Sequence, residues 1–198
     1  IRDQLENEKP LKELDLSNDE VKMIRSFDFL TLKPMIIVAN VGEDVIGQAD
    51  SPLLEGLRSY CESEGMELIE LAANIEMEVA QLPEDEEKEY LEALGIAEPA
   101  RNRVVQSAYR ALGLLSFFTS GEDEVRAWTV DKGAKAVEAA GKIHSDLERG
   151  FIRAEIVPYD DFAKAGSWEA AKAAGLMKLE TKDYVMRDGD IMVVRFKV

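Results

Sequence analysis

Two short apolar runs stand out in the first half of the chain. Residues 35–39 (Met-Ile-Ile-Val-Ala) follow Pro34, and a second apolar-rich segment covers residues 66–71. Runs of this length fit strands that are buried on both faces of a parallel sheet. Helices are predicted at residues 17–29, 51–62 and 74–82, from residue 83 onward and from about residue 101. Strands and helices that alternate in this way predict a doubly wound α/β sheet.

Local signals support these helices. Ser17-Asn18-Asp19-Glu20 has the form of a capping box. Ser51-Pro52 places an N-cap residue before a proline in the first helical turn. Apolar side chains at roughly helical spacing support the last helix. They are Val104, Val105, Ala108 and Leu112.

From Gly113 onward the pattern changes to short strands separated by glycine-containing turns. The predicted strands cover residues 114–119, 125–130, 151–157, 184–186 and 191–196. Asp188-Gly189 is a strong turn dipeptide before the last of them. Five short strands with one or two alanine-rich helices predict a small α+β domain.

Polar and small residues follow each strand of the first half, as Asn40-Val41-Gly42-Glu43 and as Ala72-Ala73-Asn74. Doubly wound sheets bind ligands at the carboxyl ends of their strands. In GTPases such a strand ends in Asn-Lys-x-Asp, whose aspartate takes two hydrogen bonds from guanine. Here Val41 and Glu43 replace that lysine and aspartate, so we expect the preference for guanine to be relaxed or reversed. An ordinary polar turn is the alternative interpretation.

The sequence contains no Gly-x-x-x-x-Gly-Lys-Ser/Thr motif. Such a loop cradles nucleotide phosphates and places a hydroxyl on the magnesium ion. If the first half is a nucleotide domain, we therefore expect it to be the base-binding half.

The charge is distributed unevenly. The chain has 198 residues, 40 acidic and 24 basic side chains and a formal net charge of −16. Residues 1–100 carry 25 acidic and 8 basic side chains, whereas residues 101–198 carry 15 and 16. The asymmetry indicates two modules, and it leaves a nucleic-acid partner open for the second one.

Other features of the composition narrow the class of protein. A single cysteine, Cys61, gives no disulfide framework, so we expect a cytoplasmic protein. No apolar run approaches the ~18 residues of a membrane span, so we expect no membrane partner. One histidine, His144, argues against histidine-rich metal sites and most histidine-assisted nucleophiles.

Several stretches together resemble one family, the YchF/Obg-like ATPases of the translation-factor GTPase class. Residues 33–43 are similar to that family's altered base motif, and residues 72–78 to its following motif. Residues 124–129, 139–155 and 188–191 are similar to its C-terminal TGS domain, a β-grasp fold shared with threonyl-tRNA synthetases and RelA/SpoT proteins.

The resemblance implies a domain organisation. Residues 1–32 would be the end of a helical coiled-coil insertion and the return segment. Residues 33–113 would be the C-terminal half of a P-loop GTPase-like nucleotide domain with trailing helices, and residues 114–198 an α+β TGS domain. The phosphate loop, the magnesium ligands and the catalytic histidine would precede Ile1, and we expect the chain to be a fragment because it does not begin with Met.

The resemblance also implies a function. The parent protein would bind and hydrolyse ATP in preference to GTP, with Mg²⁺, and would associate with the ribosome as a regulator of translation and stress. In this chain the purine base would be bound by Asn40, Val41, Glu43, Ala72 and Ala73. A second hypothesis is a TGS-type module that docks on RNA or protein and binds no nucleotide of its own.

Basic residues cluster within the second half and form a candidate contact for RNA or the ribosome. They are Arg126, Lys132, Lys135, Lys142, Arg149 and Arg153. Acidic residues interleave with them, so a solvated mixed surface is the alternative.

Three conspicuous single residues are expected to be structural. His144 is predicted to lie in a turn and to bond a neighbour such as Asp146. Cys61 is predicted to pack within a helix. Trp128 is expected to belong to the core, although it could also form a stacking platform for bases.

Overall fold

The computed structural model describes residues 1–46, 51–121 and 124–197. It divides into two compact units, Ile1–Leu112 and Gly113–Val198. The first unit contains helices α1 (Arg2–Glu6) and α2 (Asn18–Ile24), strand β1 (Ile36–Asn40), helix α3 (Pro52–Ser63), strand β2 (Glu67–Leu71) and helices α4 (Ala73–Val79), α5 (Glu84–Ala93) and α6 (Ala100–Ala111).

Strands β1 and β2 are parallel and in register from Ile36 opposite Glu67 to Asn40 opposite Leu71. The carboxyl ends of both strands therefore lie side by side. Helices α4 and α5 contribute to a small core, which consists of Ala72, Ile75, Val79, Leu91 and Ile96. The expected α/β organisation of this unit is confirmed.

The apolar sequence of strand β1 predicts burial on both faces, but the structure leaves one face partly exposed. Val38 is 51% exposed. Within the described residues this sheet has two strands. The apolar run is therefore partly uncovered, although its length and parallel pairing agree with the prediction.

The apolar side chains of α6 do not form its buried face. Val105 is 57% exposed and Leu112 is 59% exposed, whereas Ala100 and Ser107 are buried. The side chain of Arg103 donates from Nη1 to the Glu70 carbonyl oxygen at 2.8 Å, on the strand beneath the helix. Polar side chains thus link α6 to β2, while two apolar side chains of the α6 segment stay exposed.

The helix predicted from residue 17 is shorter than expected. Its capping box is confirmed, because the Ser17 side chain accepts from the Glu20 amide and Glu20 bonds back to Ser17. However, α2 ends at Ile24, and a 3-10 turn, Arg25–Phe27, follows. Asp28 then adopts φ of 50°, a left-handed conformation that ends the helix.

The second unit contains strands β3 (Leu114–Ser120) and β4 (Val125–Asp131), helices α7 (Ala136–Ile143) and α8 (Ser145–Arg149), strand β5 (Phe151–Pro158), helices α9 (Tyr159–Ala165) and α10 (Trp168–Ala173), and strands β6 (Lys178–Glu180) and β7 (Asp190–Phe196). Among the described residues these strands form one sheet in the order β4-β3-β7-β5-β6. The central pair, β3 and β7, is parallel, and the other pairs are antiparallel.

One face of this sheet packs against α7. Phe117, Val130, Ala154 and Met192 from the strands meet Ala136 and Ala139 from the helix in a single core cluster. A mixed sheet with a helix across one face and a parallel central pair is the β-grasp arrangement. The expected α+β fold of the second half is confirmed.

One predicted strand in this unit is wrong and one was missed. Residues 184–186 form only an isolated bridge between Val185 and Lys135. Their neighbours bond the start of α7 instead, since Met186 N–H donates to Ala134 and Ala136 N–H donates to Tyr184. The missed strand is β6, whose three residues include two charged ones.

No helix in the described ranges is long and apolar enough to cross a membrane.

Candidate functional site

The two strand ends of the first unit are joined by a side chain. Asn40 Oδ1 accepts a hydrogen bond from the backbone N–H of Ala73 at 3.0 Å. Next to it, Val41 N–H donates to the Leu71 carbonyl oxygen at 2.8 Å. The loop after β1 and the first turn of α4 are therefore held in one arrangement, at the sheet edge where ligands of α/β folds bind.

This hydrogen bond defines what Asn40 can offer a ligand. An asparagine amide has an oxygen that can accept two hydrogen bonds and an NH₂ group that can donate two. The oxygen already accepts from Ala73, so the exposed NH₂ group is the larger part of the hydrogen-bonding capacity left for a ligand. The N7 atom of a purine is an acceptor suited to that donor.

The remaining predicted base-site residues lie around this contact. Val41 is half-buried, and Glu43 is exposed at the start of a turn. The turn is closed by the amides of Val45 and Ile46, which both donate to the Gly42 carbonyl oxygen. Ile46 then packs against the α4–α5 core, which anchors the loop.

Ala72 and Ala73 differ in what they expose. Ala72 is 2% exposed and belongs to the core, whereas Ala73 is exposed. The side chain of Ala72 therefore cannot meet a ligand, and any role of this residue lies in its backbone. Ala73 offers only a small methyl group beside Asn40.

Sequence reasoning missed the contacts that hold α4 in place. Glu76 Oε2 accepts from the Ala100 amide at 2.8 Å at the start of α6. Tyr90 donates its hydroxyl to Glu78 Oε2, and this hydrogen bond raises the pKa of Tyr90. Because the partners are 12 and 24 positions apart, no local spacing signals them.

A mainly apolar cavity of about 400 Å³ lies between α4 and α6. Leu71, Ala73, Met77 and Val104 contribute to its wall. It borders the candidate base site through Ala73.

The six basic residues that the sequence suggested as an RNA or ribosome contact fall into two groups. Arg126 lies over the ring of Trp128 at 4.1 Å, Lys135 pairs with Asp183 at 2.9 Å, and Arg149 pairs with Asp146. The carboxylate of Asp183 raises the pKa of Lys135. The side chains of the other three are exposed, with no hydrogen bond or ion pair to any residue in the described ranges. They are Lys132, Lys142 and Arg153.

These unpaired basic residues do not share one surface. Lys142 lies on α7, the helix that covers the core face of the sheet. Arg153 alternates with the buried Ala154 on β5, so it projects from the opposite face. The structure therefore does not bring the basic cluster together as the sequence suggested.

The three residues expected to be structural have structural contacts. His144 Nδ1 accepts from the Asp146 amide at 3.1 Å and caps α8, as predicted. Cys61 is buried in α3. Trp128 packs against the core, and its indole N–H donates to Thr119 Oγ1 at 2.9 Å.

Within the described parts of the chain, no three or more His, Cys, Asp or Glu side chains are grouped so that they could hold a metal ion.

Comparison with known proteins identifies the family. The family model YchF-GTPase_C, "Protein of unknown function (DUF933)", matches residues 114–197. The ribosome-binding ATPase YchF of Pasteurella multocida is 46% identical over 194 residues, which are 98% of this chain and 53% of that protein. This chain belongs to the YchF family. The resemblance expected from the sequence is confirmed.

Further relatives agree with this. The ribosome-binding ATPase YchF of Bacillus subtilis is 43% identical over 199 residues, covering 100% of this chain and 54% of that protein. The solved structure of the Schizosaccharomyces pombe YchF GTPase superposes with a TM-score of 0.77 at 35% identity, covering 96% of this chain and 50% of that chain. The chain thus spans about half the length of the curated relatives it matches.

Proposed function

We propose that this chain supplies the purine-base site of a YchF-type ATPase that associates with the ribosome. The observation that carries the proposal is the Asn40–Ala73 hydrogen bond, because it fixes the Asn40 side chain and leaves its NH₂ group open at the carboxyl ends of two parallel strands. The names of its relatives, ribosome-binding ATPase YchF and YchF GTPase, are consistent with a nucleotide ligand.

ATP is the nucleotide that the residues favour. Recognition of guanine by a carboxylate requires that group at a fixed distance from the base edge, and Glu43 is one methylene longer than the usual aspartate. Val41 cannot cover the base as a lysine stem does. Adenine needs neither group, since the Asn40 amide can donate to N7 and the small Ala73 leaves room for the ring.

The residues present fit a purine base and leave the phosphates to other parts of the parent protein. No phosphate-binding loop occurs in this sequence. The ligands of Mg²⁺ and the chemistry of hydrolysis are therefore assigned to the part of the relatives that this chain does not match. Phosphate contacts contribute much of the affinity for a nucleotide, so this chain alone should bind ATP weakly.

The base site can be tested by two substitutions at one position in a parent protein of full length. Asn40→Asp keeps an oxygen that can accept from Ala73 but removes the NH₂ donor, whereas Asn40→Ala removes both. If the donor binds the base, both variants should bind ATP about tenfold or more weakly in calorimetric titration. Wild-type affinity in Asn40→Asp would remove the base-site assignment and leave Asn40 as a structural cap.

Ribosome association is assigned to residues 114–198, which we propose form a TGS domain in the cytoplasm. The support is the β-grasp topology of this unit and the match of the family model to it. Co-sedimentation of this 198-residue chain with purified ribosomes tests the assignment. Its absence from the ribosome pellet at low salt would contradict it.

A second function is favoured by the missing phosphate loop. Residues 114–198 would act as an interaction module for RNA or protein, and the first unit would bind no nucleotide. Ribosome binding that persists in a parent protein with Asn40→Ala, together with unmeasurable ATP affinity in the wild type, would favour this alternative.

A further inference from the structure

A second cavity, of about 400 Å³, lies in the β-grasp unit between α10 and the sheet. Trp168 and Lys172 line it from the helix, and Ser120, Glu155 and Val193 line it from three strands. Val193 is directly opposite Glu155, and both alternate with core residues, so they lie on the sheet face away from α7. We call this cavity the α10 groove. It is separate from the base site, which belongs to the other unit.

Trp168 gives the groove an aromatic wall. Its ring is held by Phe162, with ring centroids 4.8 Å apart and the planes tilted by 57°. None of the described residues accepts a hydrogen bond from its indole N–H. The other tryptophan of the chain, Trp128, is covered by Arg126 and bonded to Thr119. Trp168 is therefore the tryptophan that can stack with a base.

Two arginines lie next to the groove on the same sheet face. Arg153 on β5 and Arg195 on β7 are paired directly across the two strands. Like charges in directly opposed positions destabilise a sheet. The guanidinium of Arg195 is bound by Glu155, but Arg153 has no ion pair with any residue in the described ranges. This pair therefore has one uncompensated positive charge, which a phosphate would neutralise.

The acidic side chains at the groove do not cancel this positive charge. Glu155 is 17% exposed, and its charge is compensated by Arg195. Glu169 is exposed at the rim of the groove, where it disfavours phosphate on its own side. Lys172 lies within the groove and is exposed without a partner among the described residues. Phosphates are therefore favoured near Arg153, Arg195 and Lys172.

We propose that the α10 groove binds an unpaired nucleotide of single-stranded RNA. The base stacks on Trp168, and the adjoining phosphates contact Arg153, Arg195 and Lys172. The pairing of an aromatic wall with basic side chains is the means by which proteins hold single strands without reading their sequence. The proposal deepens the ribosome association proposed above and rests on it for its biological setting.

The direct test uses this 198-residue chain and a labelled oligoadenylate of about six nucleotides, with fluorescence anisotropy as the readout. Trp168→Ala should weaken binding about tenfold, whereas Trp168→Phe, which keeps an aromatic face, should stay within about threefold. In a Trp128→Phe background the oligonucleotide should quench the remaining tryptophan fluorescence. An unchanged signal there would overturn the stacking role of Trp168.

The salt dependence tests the phosphate contacts. For single strands the slope of log affinity against log salt falls by about 0.7 for each phosphate contact that is lost. Arg153→Gln should lower the slope by about that amount, and so should Arg195→Gln in a Glu155→Gln background, which leaves no uncompensated carboxylate. Lys142→Gln is the matched control, because it removes an unpaired charge on the opposite side of the sheet and should leave the slope unchanged.

The outcomes separate this inference from the proposed function. If the chain binds ribosomes but neither Trp168→Ala nor Arg153→Gln weakens oligoadenylate binding, the groove assignment is wrong and the ribosome association stands. If polyglutamate binds in an Arg153-dependent way and oligoadenylate does not bind, the surface recognises acidic protein, and the RNA proposal is overturned. If oligoadenylate binds as expected but ribosomes do not, the groove stands and the ribosome association fails.

Discussion

Arg58 and Glu70 form a two-point ion pair between α3 and β2, with Nε to Oε1 at 2.6 Å and Nη2 to Oε2 at 2.8 Å. Both side chains are largely covered. The Arg58 guanidinium, with a smaller contribution from Arg103, lowers the pKa of Glu70 from its ordinary value. This pair fixes the helix before β2 to the strand that leads into the candidate base site.

The first prediction concerns acid stability. Because the pKa of Glu70 is lower in the folded protein than in the unfolded chain, its contribution is present above the unfolded value and is lost as the pH falls through the folded value. Glu70→Gln should reduce the free energy of unfolding by about 1 kcal/mol at neutral pH. Below about pH 4.5 the free energy of unfolding of this variant should also fall less steeply with pH than that of wild type. Hydrogen exchange of the β2 amides measures both effects.

The control is Glu89→Gln, which removes an exposed carboxylate on α5 that has no ion pair within the described residues. It should change neither the free energy of unfolding at neutral pH nor the decrease of that free energy at acid pH. Equal acid sensitivity in wild type and Glu70→Gln would mean that the ion pair does not contribute to the stability of this unit.

The second prediction concerns alkaline stability in the other unit. Tyr184 is half-buried and donates to the buried carboxylate of Asp190 at 3.0 Å, and burial together with that charge raises its pKa to about 12. A raised pKa favours the neutral phenol in the folded state. The resulting stability is complete below the unfolded value of about 10 and is lost as the pH rises towards 12.

Tyr184→Phe should lose this dependence, although it should be less stable than wild type at pH 8 because Asp190 loses one donor. Both tryptophans belong to the second unit, so tryptophan fluorescence follows its unfolding. Tyr159→Phe, at an exposed position, is the control. If the stability of wild type and Tyr184→Phe falls in parallel between pH 10 and 12, the assignment to Tyr184 is wrong.

Much of the fold could be predicted because its signals are local. The strand β1 is recognisable from five consecutive apolar residues, and α2 from its capping box at Ser17. Strand β6 was missed because Lys178-Leu179-Glu180 is short and polar, and only its pairing with β5 makes it a strand. The side of α6 that faces β2 could not be predicted from apolar spacing, because Arg103 and Arg110 link the helix to that strand through polar contacts.

The candidate sites could be predicted only in part, for a similar reason. Asn40 and Ala73 were each identified from the residues that follow a strand, but they are 33 positions apart and their hydrogen bond depends on the register of two strands. Arg153 was identified as a basic residue, whereas its partner Arg195 was not. Only the pairing of β5 with β7 places them together. Spacing along the chain carries no information on such contacts.

The third prediction tests how α4 is joined to α6. Glu76 Oε2 accepts from the Ala100 amide and so caps the start of α6. Glu76→Ala should destabilise the first unit by about 1 kcal/mol, as the loss of an N-cap acceptor does. Glu76→Gln keeps an acceptor oxygen and should cost less than about 0.5 kcal/mol. Denaturation followed by circular dichroism compares the two, and equal losses would show that the charge matters and the cap does not.

The last prediction concerns two glycines with opposite surroundings. A Cβ added to Gly150 would lie 2.4 Å from the Lys197 carbonyl oxygen and 3.2 Å from that of Asp146, so backbone would have to move. The Gly150 carbonyl oxygen also accepts a hydrogen bond at 2.9 Å from the N–H of Lys197, directly after the end of β7. Gly150→Ala should therefore destabilise the second unit by about 1–3 kcal/mol.

Gly56 is the matched control. It lies inside α3, and a Cβ there would meet nothing within 4 Å. Gly56→Ala should stabilise the first unit by about 0.5–1 kcal/mol, because alanine loses less backbone entropy in a helix. Denaturant unfolding followed by tryptophan fluorescence measures the change in the free energy of unfolding for the second unit. Amide exchange measures that change for the first unit. If Gly150→Ala were as stable as wild type, the close packing between the end of α8 and the end of β7 would be refuted.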